Sequence, residues 1–195
     1  MNRNNRPMRL FQYNSPVTLT FVLISLSVLI LGNVTKGVST SLFFCAYRSS
    51  WLNPLTYIRI FGHVLGHANW KHFSSNMLLF LILGPMLEEK YGSKTLLKMM
   101  AVTAAVSSLF YMLFYPNNAL LGASGIVFMM IVLSSVAGMQ NGRIPITLML
   151  VMFIYLGGEV RDSFSAGDGI AHAAHVIGGV CGAAFGIMIV QRKRR

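Results

Sequence analysis

Apolar residues in this chain come in long, nearly unbroken runs parted by short polar stretches, not at the two-residue period of a half-buried strand. A helix needs about 20 mostly apolar residues to cross a bilayer, with a range of roughly 17–25. Six runs read as spans: Pro16–Leu31, Phe73–Leu87, Thr95–Tyr115, Ser124–Met139, Ile144–Leu156 and Gly169–Val190. The polar turn Trp70–His72 extends the second upstream. The fourth and fifth are short, as fits helices that tilt or start in protein-lined space. The pattern predicts an all-α membrane protein, a bundle of six transmembrane helices.

The connections are unequal. The fourth-to-fifth link, "QNGRIP", reads as a tight turn. The first-to-second link, from about Gly32 to Trp70, is long and carries Phe43, Phe44, Trp51 and Leu52. Aromatics at that density beside a bilayer predict a first outer loop partly embedded in the interface. The last outer loop, "GGEVRDSFSAGDG", is Gly- and Ser-rich and reads as a mobile cap or a plain linker.

Composition strengthens the membrane reading. Hydrophobic residues are 54% and charged residues 11% of the 195, against roughly a quarter charged in soluble proteins. The net charge of +11 raises the question of nucleic acid, but the bases sit in short runs beside apolar segments, which is a topology signal. With the N-terminus in the cytoplasm, the inside segments hold eleven of the sixteen Lys and Arg: Arg3, Arg6, Arg9, Lys90, Lys94, Lys98, Arg143 and the four that close the chain. Lys36, Arg48, Arg59, Lys71 and Arg161 fall outside. The expected layout is a short basic N-terminus (1–15), a membrane domain (16–190) and a basic tail (191–195), both ends cytoplasmic, in a multi-pass protein of a bacterial inner membrane. The first apolar run is too long for a signal peptide and lacks a cleavage site, so it reads as a retained helix. Cys45 and Cys181 form no CxxC pair and imply neither a disulfide framework nor a thiolate metal site.

Ionisable and polar groups at membrane depth are costly and therefore informative. Three clusters carry them: His67, His72 and Asn76; Ser124 within "LLGASGIVF"; and His172 and His175 ahead of Gly178, Gly182 and Gly186. The second, fourth and sixth spans all enter from the outside, so the clusters share one depth near the outer face. At about 100° per residue, His175 falls on the ridge of Gly178, Gly182 and Gly186, while His172 lies roughly 60–80° away. Such small-residue ridges let membrane helices approach closely. The face of the fourth span holding Ser124, Phe128, Ile131 and Ser135 is the expected partner, which would let Ser124 meet His175. A serine beside a histidine is the minimum for nucleophilic catalysis, the ring accepting the hydroxyl proton and returning it to the leaving group. Helix-start N–H groups near Ser124, with His72 and Asn76 on one face of the second span, could hold the oxyanion.

At these residues the sequence resembles the rhomboid intramembrane serine proteases, over about Ile58 to Gly186. "HANWKHFSSNM" resembles the family's second-helix motif, "EEKYG" (Glu88, Gly92) its Glu-xxx-Gly, "GASG" its nucleophile motif, and "AHVIGGVCG" its last-helix His-xx-Gly-xxx-Gly. The resemblance implies a protease cutting transmembrane segments near the outer face, often after a small residue. It makes Ser124 the nucleophile and His175 the base, with an oxyanion hole from His72, Asn76 and the Ser124 N–H. It gives Gly122 a close turn, Gly125, Gly178 and Gly182 packing roles, and Phe128 a place against the catalytic histidine. His63 and His67 support the first loop. In the family the fifth helix and the loop after it gate substrate entry, here Ile144–Leu156 and Gly157–Gly169. The family's first-loop Trp-Arg pair is Ile58-Arg59 here.

The resemblance implies transmembrane protein substrates and membrane lipids as partners, and neither cofactor nor nucleic acid. Three other readings compete. A structural helix bundle would carry no chemistry and would explain the glycines alone. An inactive rhomboid-like protein would bind membrane proteins without cutting them. A metal transporter would use the histidines, His63 and His67 being i, i+4 and His172 and His175 i, i+3.

Overall fold

A computed structural model of the chain describes residues 14–138, 146, 149–150, 153 and 170–194. Among these every regular element is helical. Helix α1 spans Pro16–Val34, α2 Val38–Phe43, α3 Pro54–Gly62, α4 Trp70–Tyr91, α5 Ser93–Phe114, α6 Ser124–Gly138 and α7 Ile170–Arg194. Five of them cover five of the sequence-derived spans. Two, α1 and α5, are long and apolar enough to cross a membrane by themselves; α6 and α7 contribute shorter apolar stretches, Ser124–Val136 and Ala173–Ile189. The expected fifth helix lies mostly outside the described residues, as do the loop 157–169 and residues 1–13.

Several boundaries differ from the sequence reading. Helix α4 runs on through Tyr91, past Leu87, because Glu88 is buried as part of the fold. Helix α7 continues to Arg194, so the basic tail extends a helix instead of following one. The first loop is itself structured: α2, α3 and a 3-10 turn at His63–Leu65 occupy much of it.

Helix α6 is the centre of the bundle. Ile126, Val127, Met129, Met130, Ile131 and Leu133 are each 1% exposed or less. A helix apolar on every side has no face for water or lipid and is enclosed by its neighbours. Exposed apolar side chains lie on the outer helices, among them Leu23 and Ile24 on α1, Leu78 and Ile82 on α4, and Leu109 and Leu113 on α5.

Helices α1 and α4 pack against each other, the first turns of α1 on the second half of α4. Phe21 stacks on Phe80 with ring centroids 4.5 Å apart. At Gly84 a Cβ would stand 2.5 Å from the Thr18 Cγ2, so the glycine admits the α1 backbone. At the same end Glu88 caps α1. Its carboxylate accepts from Val17 N (2.9 Å), Thr18 N (2.9 Å) and Thr18 Oγ1 (2.8 Å), and from Ser93 Oγ at the start of α5 (2.7 Å). Backbone N–H groups of a first helical turn lack partners within the helix, and an anion there also meets the positive end of the dipole.

Candidate active site

The site begins with a turn. Gly122 has φ +118°, a left-handed conformation that side chains rarely adopt. A Cβ on it would stand 2.7 Å from Cε1 and 2.8 Å from Nε2 of His72, so the His72 ring fills the space that a side chain would need. The Gly122 N–H donates to the His63 carbonyl at 2.9 Å. Just upstream, Leu120 and Ala46 exchange two backbone hydrogen bonds of 2.8 Å each. The Leu120 carbonyl that a longer helix would offer to the Ser124 N–H is thereby turned to the first loop. Helix α6 therefore starts at Ser124, which puts the serine where helix-start N–H groups gather.

Helix α7 brings His175 to that turn. Its glycines lie directly on the α6 backbone: a Cβ at Gly178 would collide with the Gly125 carbonyl, and one at Gly182 would lie 3.1 Å from the Met129 Cα. At Gly186 a Cβ would come within 2.8 Å of the Val136 Cγ1. His175 stacks flat on Phe128, one turn below Ser124, with centroids 4.2 Å apart and 14° between the planes. Ser124 is 9% exposed and His175 4%. The seam on α6 runs through Gly125, Phe128, Met129, Val132 and Val136. It is thus rotated from the expected Ser124, Phe128, Ile131 and Ser135 face, with Phe128 common to both. The rotation has a steric cause. Gly125 lets Gly178 reach the main chain, while Ser124 stays at the seam's edge.

Helix α4 supplies the remaining groups. Asn69 caps it, its Oδ1 accepting from the His72 N–H at 2.9 Å. Asn76 is fully buried one turn below, and its Nδ2 donates to the His72 carbonyl at 2.9 Å. The His72 ring meets His67 edge-on, centroids 5.1 Å apart.

His63 and His67 do not share a helical face. His63 lies in the 3-10 turn and His67 beyond it, so the i, i+4 spacing does not make a ligand pair. His63 Nδ1 lies 3.1 Å from the Ile60 carbonyl and His67 Nδ1 3.2 Å from that of Leu65. Burial lowers the pKa of each to about 4, and for His67 the neighbouring His72 adds to the effect. Both rings are neutral at physiological pH. Among the described residues no three His, Cys, Asp or Glu side chains gather as a metal site would require. The His172 side chain lies outside them.

Arg59 is buried and is held by the loop. Its Nε donates to the Leu42 carbonyl at 2.8 Å and its guanidinium lies 4.3 Å above the Tyr47 ring. Ile58 beside it is 49% exposed and faces outward, so the missing tryptophan leaves the packing of Arg59 intact.

Sequence reasoning missed two features. One is the Glu88 cap. The other is Ser107 of α5, which with His63, Gly122 and Gly125 lines a cavity of about 10 Å3 behind the turn that precedes Ser124, about the size of one water. The adjacent Ser107 and Ser108 inside an apolar helix were the available signal.

The family described as Rhomboid domain matches residues 54–192. This chain belongs to the rhomboid family. Among its curated relatives are a chloroplastic rhomboid-like protein 11 of Arabidopsis thaliana, 29% identical over 130 residues, 60% of this chain and 46% of that protein. Another is rhomboid-related protein 1 of Caenorhabditis elegans, 27% identical over 141 residues, 68% of this chain and 40% of that protein. The chain spans under half the length of these relatives. The matched rhomboid region begins at α3 and takes in the Gly122 turn, α6 and α7, so it holds every group placed around Ser124.

Proposed function

We propose that this protein is an intramembrane serine endopeptidase that cuts transmembrane segments of membrane proteins near the outer face. It has six spans and both termini in the cytoplasm. Ser124 Oγ attacks the scissile carbonyl while His175 takes its proton. The oxyanion of the tetrahedral intermediate is held by the Ser124 N–H, His72 and Asn76. As the intermediate collapses, His175 returns the proton to the departing amine, leaving an acyl-enzyme. A water then attacks the acyl carbon, giving a proton to His175, which passes it to Ser124 Oγ as the acyl bond breaks and the carboxyl product leaves.

The observation that carries this reading is the stack of His175 on Phe128, one turn below Ser124, with the His72 ring seated in the space left by Gly122. Three helices contribute polar groups to one turn that begins a helix. Single-span proteins whose helices unwind easily after a small residue are the proposed substrates, because an intact helix shields its peptide bonds.

A serine-reactive fluorophosphonate tests the proposal. Wild type should label and Ser124→Ala should not. Equal labelling of the two, or equal cleavage of a transmembrane substrate in vesicles, would sink it; labelling and cleavage by neither would favour a rhomboid-like protein that binds without cutting.

A further inference from the structure

His72 would lend a ring N–H to the oxyanion, so the orientation of that ring decides whether the donor points at it. A half-turn about Cβ–Cγ exchanges Nε2 with Cε1 and Nδ1 with Cδ2, and puts carbon where the donor was. Catalytic rings are commonly held against such a turn by a hydrogen bond to the second nitrogen. Among the described residues neither ring nitrogen of His72 has one. Its bonds here are made by the main chain, the N–H to Asn69 and the carbonyl to Asn76. Packing must therefore set the ring.

Two surfaces bound it. One is Gly122: the position a Cβ would take lies 2.7 Å from Cε1 and 2.8 Å from Nε2, but 3.9 Å from Nδ1. The Cε1–Nε2 edge is thus the one turned to the start of α6. The other surface is the His67 ring, with centroids 5.1 Å apart and 66° between the planes.

Both surfaces are fastened to one short piece of chain, the 3-10 turn at His63–Leu65. The His63 carbonyl accepts from Gly122 N–H at 2.9 Å and from Gly66 N–H at 3.2 Å. The Leu65 carbonyl lies 3.2 Å from His67 Nδ1. The turn is itself seated on main chain. A Cβ at Gly62 would stand 2.7 Å from the Phe43 carbonyl oxygen, and one at Gly66 would collide with that of Phe44. His67 also meets the Phe73 ring edge-on, centroids 5.4 Å apart and 85° between the planes, and is 3% exposed. A ring so enclosed keeps its place, and a neighbour packed on it has little room to turn.

We propose that His67 is a positioning residue: its ring, tied to the turn that also holds Gly122, keeps the His72 ring from turning over and its N–H aimed at the oxyanion. His67 itself touches neither substrate nor the reacting atoms. The catalytic half of this role rests on Ser124 being the nucleophile; the placement of the ring does not.

Full-length protein in micelles, isotope-labelled at histidine and glycine, is examined by NMR, the His72 ring signals being identified by their loss in His72→Asn. Gly122 Hα should show a cross-peak to His72 Hε1 and none to Hδ2. In His67→Ala the Hε1 peak should weaken and an Hδ2 peak appear, as the turned ring brings Cδ2 to where Nδ1 was. His67→Val, which keeps an apolar side chain but no ring, serves the same purpose if the alanine variant does not fold. His67→Phe should keep the wild-type pattern. Cleavage per titrated site should follow: a ring free among three χ1 wells and two faces aims its donor about one-sixth of the time, so kcat should fall about sixfold in His67→Ala with KM unchanged, and His67→Phe should return most of it. An unchanged cross-peak pattern in His67→Ala overturns the proposal, whether or not the chain cleaves anything. So does a turned ring with kcat intact, a KM effect with kcat intact, or an equal loss in the alanine and phenylalanine variants. A wild type that neither labels nor cleaves overturns the protease reading, and with it the catalytic half, while the cross-peaks still decide the placement.

Discussion

The two ends of α4 use polar side chains in opposite ways. At the Glu88 end each hydrogen bond is spent on holding helices: one carboxylate accepts four, from α1 and from the start of α5. At the His72 end the polar groups surround a turn, and several keep capacity in reserve. His67 Nε2 and Ser107 Oγ are buried there without a hydrogen-bond partner among the described residues. Buried polar groups are nearly always satisfied in proteins, and each exception calls for an explanation, a catalytic role or a bound water among them. The saturated end thus reads as structure, and the other end keeps the unspent polar capacity that the proposed chemistry needs.

That contrast breaks most sharply at Ser124. Ser124→Ala should lower cleavage of a transmembrane substrate by at least about a thousandfold while leaving the thermal midpoint within a degree or two. Glu88→Ala should do the reverse. It strands the buried N–H groups of α1 and costs about 1–3 kcal/mol for each unsatisfied donor, yet turnover per folded molecule, from active-site titration, should hold. A variant of Glu88 that stays stable but cannot turn over would erase the distinction between the ends.

Acid should separate the ends further. His63 and His67 are neutral in the fold, with pKa values lowered to about 4. Their contribution is present above the unfolded value near 6.5 and is lost as pH falls from there toward 4, since the unfolded chain binds the protons first. Each ring removes about 1.4 kcal/mol per pH unit over that window. Unfolding midpoints measured from pH 7 to pH 5 should fall accordingly, and less so in His63→Asn.

Two smaller effects refine the functional end. Gly178→Val puts atoms into the Gly125 carbonyl and should cost about 1–3 kcal/mol as α6 and α7 are forced apart; stability and cleavage should fall together. Phe128→Leu removes the stack under His175, worth about 0.5–1.5 kcal/mol, and should slow kcat a few-fold with KM unchanged. A KM effect instead would mean that Phe128 touches substrate.

Much of this was legible because it is periodic and local. The apolar runs mark α1, α4, α5, α6 and α7, and the ridge of Gly178, Gly182 and Gly186 marks the side of α7 that meets α6. The one-residue rotation of the α6 face was not legible, because a glycine at 125 looks like a weak helix position until another backbone lies on it. The Glu88 cap joins residues about seventy apart in sequence, and nothing near Glu88 announces a partner in the first turn of α1. The pairing of Ala46 with Leu120 is invisible for a different reason. It is made of main-chain atoms, which every residue but proline supplies alike.

That same pairing has a consequence for how the chain can change length. Two backbone bonds fasten the first loop near its middle, so the segment before Ala46 and the segment after it close as separate loops. Closure entropy rises only slowly with loop length. An insertion between Arg48 and Trp51 would be absorbed within its own half, and the turn that carries Ser124 would not register that the loop had grown.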